Sequence, residues 1–448
     1  MARTPEQNNA IITGNIPRQL LLFFFPIWLG TMFQQLYNTV DTLIVGNFVG
    51  TQALAAVGAT SSFVQLLVGL FVGLCSGAGV IIAQSFGAGD HDEVNRQVHT
   101  ALALAIAGGA ALTVIGLLLM QTPDEIVGMA SEYLQIYFLG MIPQMIYNMG
   151  TNILRAVGDS KRPLYFLIVA SIVNIVLDIV LVAVIPLGVA GAAIATVASA
   201  VLTVRCIHGS QGMPWHLQLK NIRIERSVLL AICRIGLPGA AQSALYSISN
   251  MTIQSAINGF GTVAVAAWSV YGKIDFLFWM TVSSFGIAVT TFAGQNFGAR
   301  QYDRVRRGTM TCLAMTAGTT LCISLALYPS AQLLFRLFSS DDAVVAQGVQ
   351  MMHYLVPVYM TYICIEIFSG ALRGCGDVRV PTIITVFAVC IMRIVWLAVA
   401  LPFKHELSVV EFSYPLTWIT ATVLFAIYYT KGGWMQRCIA AQNAKTQG

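Results

Sequence analysis

Twelve stretches of this chain each hold about 20 or more predominantly apolar residues, the length a helix needs to cross a bilayer. They lie near 18–46, 54–85, 97–120, 131–155, 163–185, 188–208, 232–257, 263–295, 308–334, 347–372, 381–401 and 410–430. Inside hydrocarbon every backbone N–H and C=O must be satisfied within the protein, so such runs fold as helices. The first, second and eighth are longer than one crossing and must tilt, kink or protrude. Charged residues make up 10% of the chain, too few for a water-exposed surface, which carries about 25%. The fold class expected is therefore an all-α integral membrane protein.

The basic residues orient it. With both termini on the cytoplasmic side, twenty lysines and arginines fall on inside segments and only Arg336 and Lys404 on outside loops. This positive-inside bias accounts for the net charge of +5. No basic patch stands on a soluble domain, so a nucleic-acid surface is not expected.

The sequence also repeats. Gln84, Phe86, Gly87, Ala88, Asp92, Val94, Arg96, Thr100, Leu102 and Ala103 recur as Gln295, Phe297, Gly298, Ala299, Asp303, Val305, Arg307, Thr311, Leu313 and Ala314. LRAVGDSKRP at 154–163 recurs as LRGCGDVRVP at 372–381, and Pro26 and Asn38 align more weakly with Pro238 and Asn250. These matches include Gln, Arg, Asp and Gly in loops, which chance likeness between apolar helices would not produce. Each copy holds six crossings, so the second re-enters with the orientation of the first. The expectation is two six-helix lobes related by a pseudo-twofold axis along the membrane normal, with a binding site between them near the midplane. The divisions read from sequence are an N-terminal lobe at 1–208, a linker at 209–231, a C-terminal lobe at 232–430 and a tail at 431–448.

Six ionisable residues fall inside the apolar runs: Asp41, Asp178, Lys273, Asp275, Glu366 and Arg393. A charge at the bilayer centre costs about 2.5–3.5 kcal/mol on insertion scales, so each needs a partner, a cavity or a proton. Asp41 shares a helical face with Asn38 and Gln34, and Pro26 earlier in the same run removes one backbone hydrogen bond. Asn174 and Asp178 lie four apart on the fifth run, and Thr196 on the sixth is placed to face them. Two carboxylates, an amide and a hydroxyl make an all-oxygen set suited to a proton or a hard cation. Neutral residues would cross-link helices more cheaply, which favours function for Asp41 and Asp178; for Pro26 an ordinary kink is an equal reading. Lys273 and Asp275 do not share a face, Lys273 is a candidate for snorkelling, and Glu366 and Arg393 are candidates to pair across helices. These four form a C-lobe polar set for which structural ion pairing is the competing reading.

Candidate cavity residues are Gln34, Tyr37, Asn38, Tyr133, Tyr137, Met141, Asn148, Asn152, Tyr246, Met280 and Tyr362, against the ordinary reading of packing stripes. Gly73 and Gly77, with other glycines of the first two runs, permit close helix contact. There is no G-x-G-x-x-G, P-loop, G-x-S-x-G or H-E-x-x-H pattern, so nucleotide binding and hydrolytic chemistry are not expected. Nine cysteines are scattered without a metal-binding spacing. The polar N-terminus precedes a run too long for a signal peptide, so no cleavage is expected.

Taken together, Pro26 and Asp41 in the first run, QSFGAGD and QNFGARQ after the second and eighth, and LRAVGD and LRGCGD after the fourth and tenth resemble the multidrug and toxic compound extrusion (MATE) family. The likeness covers nearly the whole chain. Within the family it is most similar to the DinF-like branch, whose N-lobe cation site Asp41, Asn174, Asp178 and Thr196 match in order and spacing. The resemblance implies antiport, driven by H+ or Na+, of small amphipathic and often cationic organic compounds. It further implies an outward-open V and bending of the first helix at Pro26. The NorM-like branch carries a glutamate where GAAQSALYSISN, after Pro238, has no acid, and Glu366 does not match that branch's aspartate. The chain is thus expected to be an inner-membrane, monomeric, non-enzymatic exporter in contact with lipids. It needs no cofactor and no metal other than Na+ as the alternative ion at Asp41, Asn174, Asp178 and Thr196. A lipid-linked precursor flippase is the alternative, although only Lys273 and Arg393 would supply the basic cavity that such proteins use.

Overall fold

The computed structural model describes residues 10–48, 51–119, 138, 140–185, 194, 197–198 and 222–447; side chains at 41–48, 51–67, 115–119, 178, 183–184 and 445–447 lie outside that description. All regular elements among the described residues are helical. They are α1 (Ile16–Phe48), α2 (Thr51–Gly87), α3 (His91–Leu119), α4 (Met141–Ala156), α5 (Lys161–Asp178), α6 (Arg226–Asn258), α7 (Thr262–Gly298) and α8 (Tyr302–Phe338). Then follow α9 (Asp342–Leu355), α10 (Tyr359–Gly374), α11 (Arg379–Thr385), α12 (Met392–Phe403), α13 (Leu407–Lys431) and α14 (Trp434–Gln447). A single turn, Ala10–Thr13, precedes α1. A 3-10 turn joins α9 to α10, and π-helical turns continue α5 (Ile179–Val184) and join α11 to α12 (Val386–Ile391).

Ten helices among the described residues are long and apolar enough to span a membrane. They account for ten of the twelve apolar runs. The run near 131–155 begins outside the described residues, and of the run near 188–208 only Ile194, Val197 and Ala198 are described. Large apolar side chains point outward along these helices, such as Leu333 at 67% exposed and Leu337 at 71%. In water such a surface would aggregate; against lipid it is the favoured one. At 37 residues each, α2, α7 and α8 extend about 55 Å, well beyond the hydrocarbon core.

By backbone proximity the chain divides into two compact units. The first comprises Met1–Asn9 and Leu22–Ala240, the second Ala10–Leu21 and Ala241–Gly448. The division falls inside α6 just after Pro238, whereas the sequence places it in the 209–231 linker, and it assigns Ala10–Leu21 to the second unit. The reason is visible in the first unit, where the start of α6 is locked to α2. A Cβ on Gly73 would lie 2.5 Å from the Ala240 backbone N, and one on Gly77 would lie 2.6 Å from the Ile232 carbonyl oxygen. Two small residues four apart thus bring two backbones into direct contact, as membrane helices do in place of hydrophobic expulsion from water. Around this crossing α2, α3 and α4 share a core that includes Cys75, Ile82, Val98, Phe138, Met145 and Ile232, all fully or nearly fully buried.

In the second unit α7 is the central element. Gly370 and Gly374 of α10 face the α7 backbone at Gly286 and Thr290, and the Thr290 hydroxyl donates to the Gly370 carbonyl at 3.0 Å. Beyond this crossing lies an aromatic layer: Phe278 stacks on Tyr359 at 4.0 Å, while Tyr362 and Trp279 meet Trp418 edge-on.

Candidate functional site

Pro26 lies within α1, so the Leu22 carbonyl loses its usual N–H partner there while the helix continues. One turn on, the Thr31 hydroxyl donates to the Ile27 carbonyl at 3.0 Å. Gln34 and Asn38 are exposed on α1 and Tyr37 is half-buried. The backbone of Asp41 belongs to α1, and Asp178 is the last residue of α5; both side chains are outside the described set, as are Thr196, Tyr133 and Tyr137 altogether. Asn174, one turn before Asp178, is buried at 2% exposure. Directly after Asp178 the α-helix widens into the π turn, a departure from regular geometry that recurs at functional positions in helices.

On α4, Met141 is fully buried with Met145 and Met149 in the first unit's core, so it packs there and does not line an open wall. Asn148 and Asn152 are half-buried, and the Asn152 amide donates to the Asn148 carbonyl at 2.9 Å.

The C-lobe set separates into three local arrangements. Lys273 is exposed, its ammonium 5.5 Å above the Phe338 ring at the end of α8. Asp275 turns inward and accepts from the Trp279 indole N–H at 2.6 Å, beside the Tyr271 and Tyr359 hydroxyls, which are 3.1 Å apart. Glu366 does not pair with Arg393. Its Oε1 lies 3.7 Å from Arg373 Nη2, two turns along the same helix, and its other oxygen accepts from Tyr362 at 3.5 Å. Arg393 is buried, donates to Thr417 Oγ1 at 3.4 Å and sits 4.5 Å over the Tyr414 ring. Tyr246 lies beside Tyr362, and Met280 is in the core. Sequence reasoning missed Trp279, Tyr359, Arg373 and Thr417 as partners. It also passed over Glu411, a buried acid that opens the last apolar run. The i+4 spacing of Asp275 and Trp279 was the available signal for one of them.

The MatE family profile matches residues 26–180 and 238–399, two stretches that begin at Pro26 and Pro238. This chain belongs to the MATE family. It is a membrane transporter and not an enzyme. A probable multidrug resistance protein of Bacillus subtilis, YoeA, is 28% identical over 92% of this chain and 93% of its own length. An FAD transporter of Shewanella oneidensis is 24% identical over 76% and 78%. Among solved structures, a multidrug resistance MATE transporter of the MOP superfamily in its outward-facing conformation superposes with a TM-score of 0.88 at 22% identity, over 98% of this chain and all of that one. A MOP-superfamily transporter of Pyrococcus furiosus does so at 0.87, with 22% identity, over 97% and 98%.

The two copies of this MATE chain differ at the positions of interest. Carried across at the spacing of the LRAVGD and LRGCGD motifs, Asn174 and Asp178 fall on Met392 and Trp396. At the spacing of Pro26 and Pro238, Asp41 falls on Ile253. Ile253 and Trp396 belong to one apolar cluster with Ile257, Leu397 and Val410.

Proposed function

We propose that this transporter is a secondary antiporter that exports small amphipathic, often cationic organic compounds in exchange for H+ or Na+ by alternating access. Asp41 is the main coupling carboxylate, Asp178 shares the ion, Asn174 and Thr196 complete the oxygen set, and Pro26 is the hinge of α1. The observation that carries this reading is the asymmetry of the two copies. The second-copy counterparts of Asp41 and Asp178 meet in a single apolar cluster. The duplicated fold therefore supports the first-copy residues also meeting, with acids where the other lobe has Ile253 and Trp396. Packing alone is met by apolar residues at these positions, so two acids there are retained for a charge they bind.

The buried Asn174 and the π turn after Asp178 add support. So do the names of relatives such as YoeA and YpnP of Bacillus subtilis, each a probable multidrug resistance protein. We further propose, from the resemblance of these four residues to the DinF-like branch and from the charge bias of the loops, that the chain is a member of that branch, lies in the inner membrane with both termini cytoplasmic and acts as a monomer. Coupling requires that the ion bind one conformation more tightly than the other, since a ligand shifts an equilibrium only by its differential affinity.

The test is export of a fluorescent organic cation from proteoliposomes, with pH and sodium gradients imposed separately. Export should follow one gradient and disappear in Asp41→Asn while the variant melts as the wild type does. Wild-type export by Asp41→Asn would remove Asp41 from the mechanism. The alternative, a lipid-linked precursor flippase, would have only Lys273 and Arg393 of the spanning runs for its cationic lining, each of them beside an aromatic ring, and a cationic central cavity would favour it.

A further inference from the structure

The loop that joins α7 to α8 is the duplicate of the loop that joins α2 to α3, and the two have the same backbone. Ala88, Gly89 and Asp90 donate to the carbonyls of Gln84, Phe86 and Ser85; Ala299, Arg300 and Gln301 donate to those of Gln295, Phe297 and Asn296. Their charges have diverged. Where the first copy has Gly89, Glu93 and Asn95, the second has Arg300, Arg304 and Arg306, and Arg96 is matched by Arg307. In the first copy Arg96 is neutralised by Glu93 and by Glu225 at 3.2 Å. In the second, none of the four arginines forms an ion pair among the described residues.

Three of these arginines line a cavity of about 520 Å³, together with Ile16, Gln301, Tyr302 and Asp303. Three guanidinium groups against one carboxylate leave it cationic. Arg304 is held in place by its own bonds: Nη2 donates to the carbonyls of Ile11, at 3.0 Å, and Gly14, and the guanidinium lies 5.5 Å from the Phe292 ring. Its Nε is buried without a hydrogen-bond partner among the described residues. The helix α8 also begins at this cavity, at Tyr302, with no side-chain cap on its first turn, and its free N–H groups there favour an anion. Arg300 stands at φ 59°, the left-handed region that Gly89 occupies at φ 76° in the other loop. A side chain at that position costs backbone strain that glycine avoids, so the charge is kept at an expense to folding.

We infer that this cavity is a binding site for a phosphate group, in the setting of a membrane interface that of an anionic phospholipid headgroup. α7 and α8 are both spanning helices, and the cavity lies at their shared end, on the side that the charge bias assigns to the cytoplasm. Basic pockets at that depth take phosphate headgroups, and guanidinium forks pair with phosphate oxygens two at a time. A free phosphate ion presents the same oxygens, so the probes must separate the two sources.

The experiment uses the full chain in detergent at fixed ionic strength and follows its melting temperature during titration with phosphatidylglycerol, phosphatidylcholine or inorganic phosphate. The wild type should be stabilised by phosphatidylglycerol and not by phosphatidylcholine; a matching response to inorganic phosphate would assign the site to soluble anions as well. Arg300→Gly and Arg307→Gln should each weaken the apparent affinity about fivefold, and together about 25-fold. Arg300→Gly restores the residue of the other loop, so it should fold at least as well as the wild type while binding worse. Arg96→Gln, in the neutralised copy, should leave the response unchanged. Equal responses from the wild type and the double variant, or none to either phosphate probe, would overturn the assignment.

Discussion

Gly158 and Gly376 adopt the same left-handed backbone, φ 90° in each, in loops that the sequence duplicates. In both loops the glycine N–H returns to an arginine carbonyl, Arg155 or Arg373, at 2.9 Å. The aspartate after it returns to Leu154 or Leu372, at 2.9 and 3.0 Å. The bonds close the helix before each loop and leave its glycine where a Cβ clashes with the following carbonyl. Alanine at either position should therefore destabilise by about 1–2 kcal/mol. Thermal melts of Gly158→Ala and Gly376→Ala in detergent should show similar drops; a drop in only one would mean the loops are not equivalent.

The α2–α6 crossing predicts a steeper loss. Gly77 faces the backbone of Ile232 and Gly236 with no side chain between, so there is nothing to rotate away. Gly77→Val should cost at least about 1–3 kcal/mol through overpacking. Gly239, on the same helix as Gly236 but with no atom of the described residues within 4 Å of its Cβ position, should accept alanine with no loss. Comparing melts of the two variants separates the crossing from the general cost of altering a glycine.

What the sequence made legible was set by local rules. Length and apolarity defined twelve spans, ten of which fall on described helices, because a helix in lipid has no alternative partner for its backbone, and loop residues such as Gly158 and Gly376 survived duplication because a left-handed turn admits little else. The partners of Glu366 were not legible. Arg393 looked available from composition, yet Glu366 meets Arg373 on its own helix, a choice set by which faces α10 and α12 turn to their neighbours. The edge of the first unit was also hidden. A linker reads as a boundary in sequence, but Gly73 and Gly77 bind the start of α6 to α2 beyond it. The basic cavity was not legible for a different reason: it is built where the two repeats differ, at Gly89 against Arg300, and not on the residues that they share.

The Glu366–Arg373 pair is predicted to be structural. It is partly shielded, with both side chains a little over a fifth exposed. Removing one partner should cost about 1–3 kcal/mol, between a surface pair and a fully buried one. Glu366→Gln should lower the melting temperature while export in proteoliposomes still follows its driving gradient. The double variant Glu366→Gln, Arg373→Gln should lose less than the sum of the singles, since the second change removes an already unpaired charge. Loss of gradient dependence in Glu366→Gln would give this carboxylate a coupling role.

Cys438 of α14 offers a test by pH. Burial, and then the nearby Asp377 carboxylate, push its thiol up to about 12, while the neighbouring Cys375 is raised by burial and by Cys438 and Asp377. Raising the pKa of an acid that ionises to an anion means that the folded chain keeps its proton where the unfolded chain loses it. From about pH 8.5, the unfolded thiol's pKa, up to about 12, the unfolded state binds fewer protons, so stability declines as pH rises through that window and is fully present below it. Reactivity follows the same shift, because only the thiolate attacks an alkylating agent. At pH 7.5 the folded chain should react with iodoacetamide at Cys438 roughly a hundred- to a thousandfold more slowly than the same chain unfolded in sodium dodecyl sulfate. The rate should rise about tenfold per pH unit across the range in which the unfolded chain has already levelled off. Mass spectrometry of the Cys438 peptide over pH 7–10 reads both slopes; parallel curves would mean that α14 does not shield this thiol.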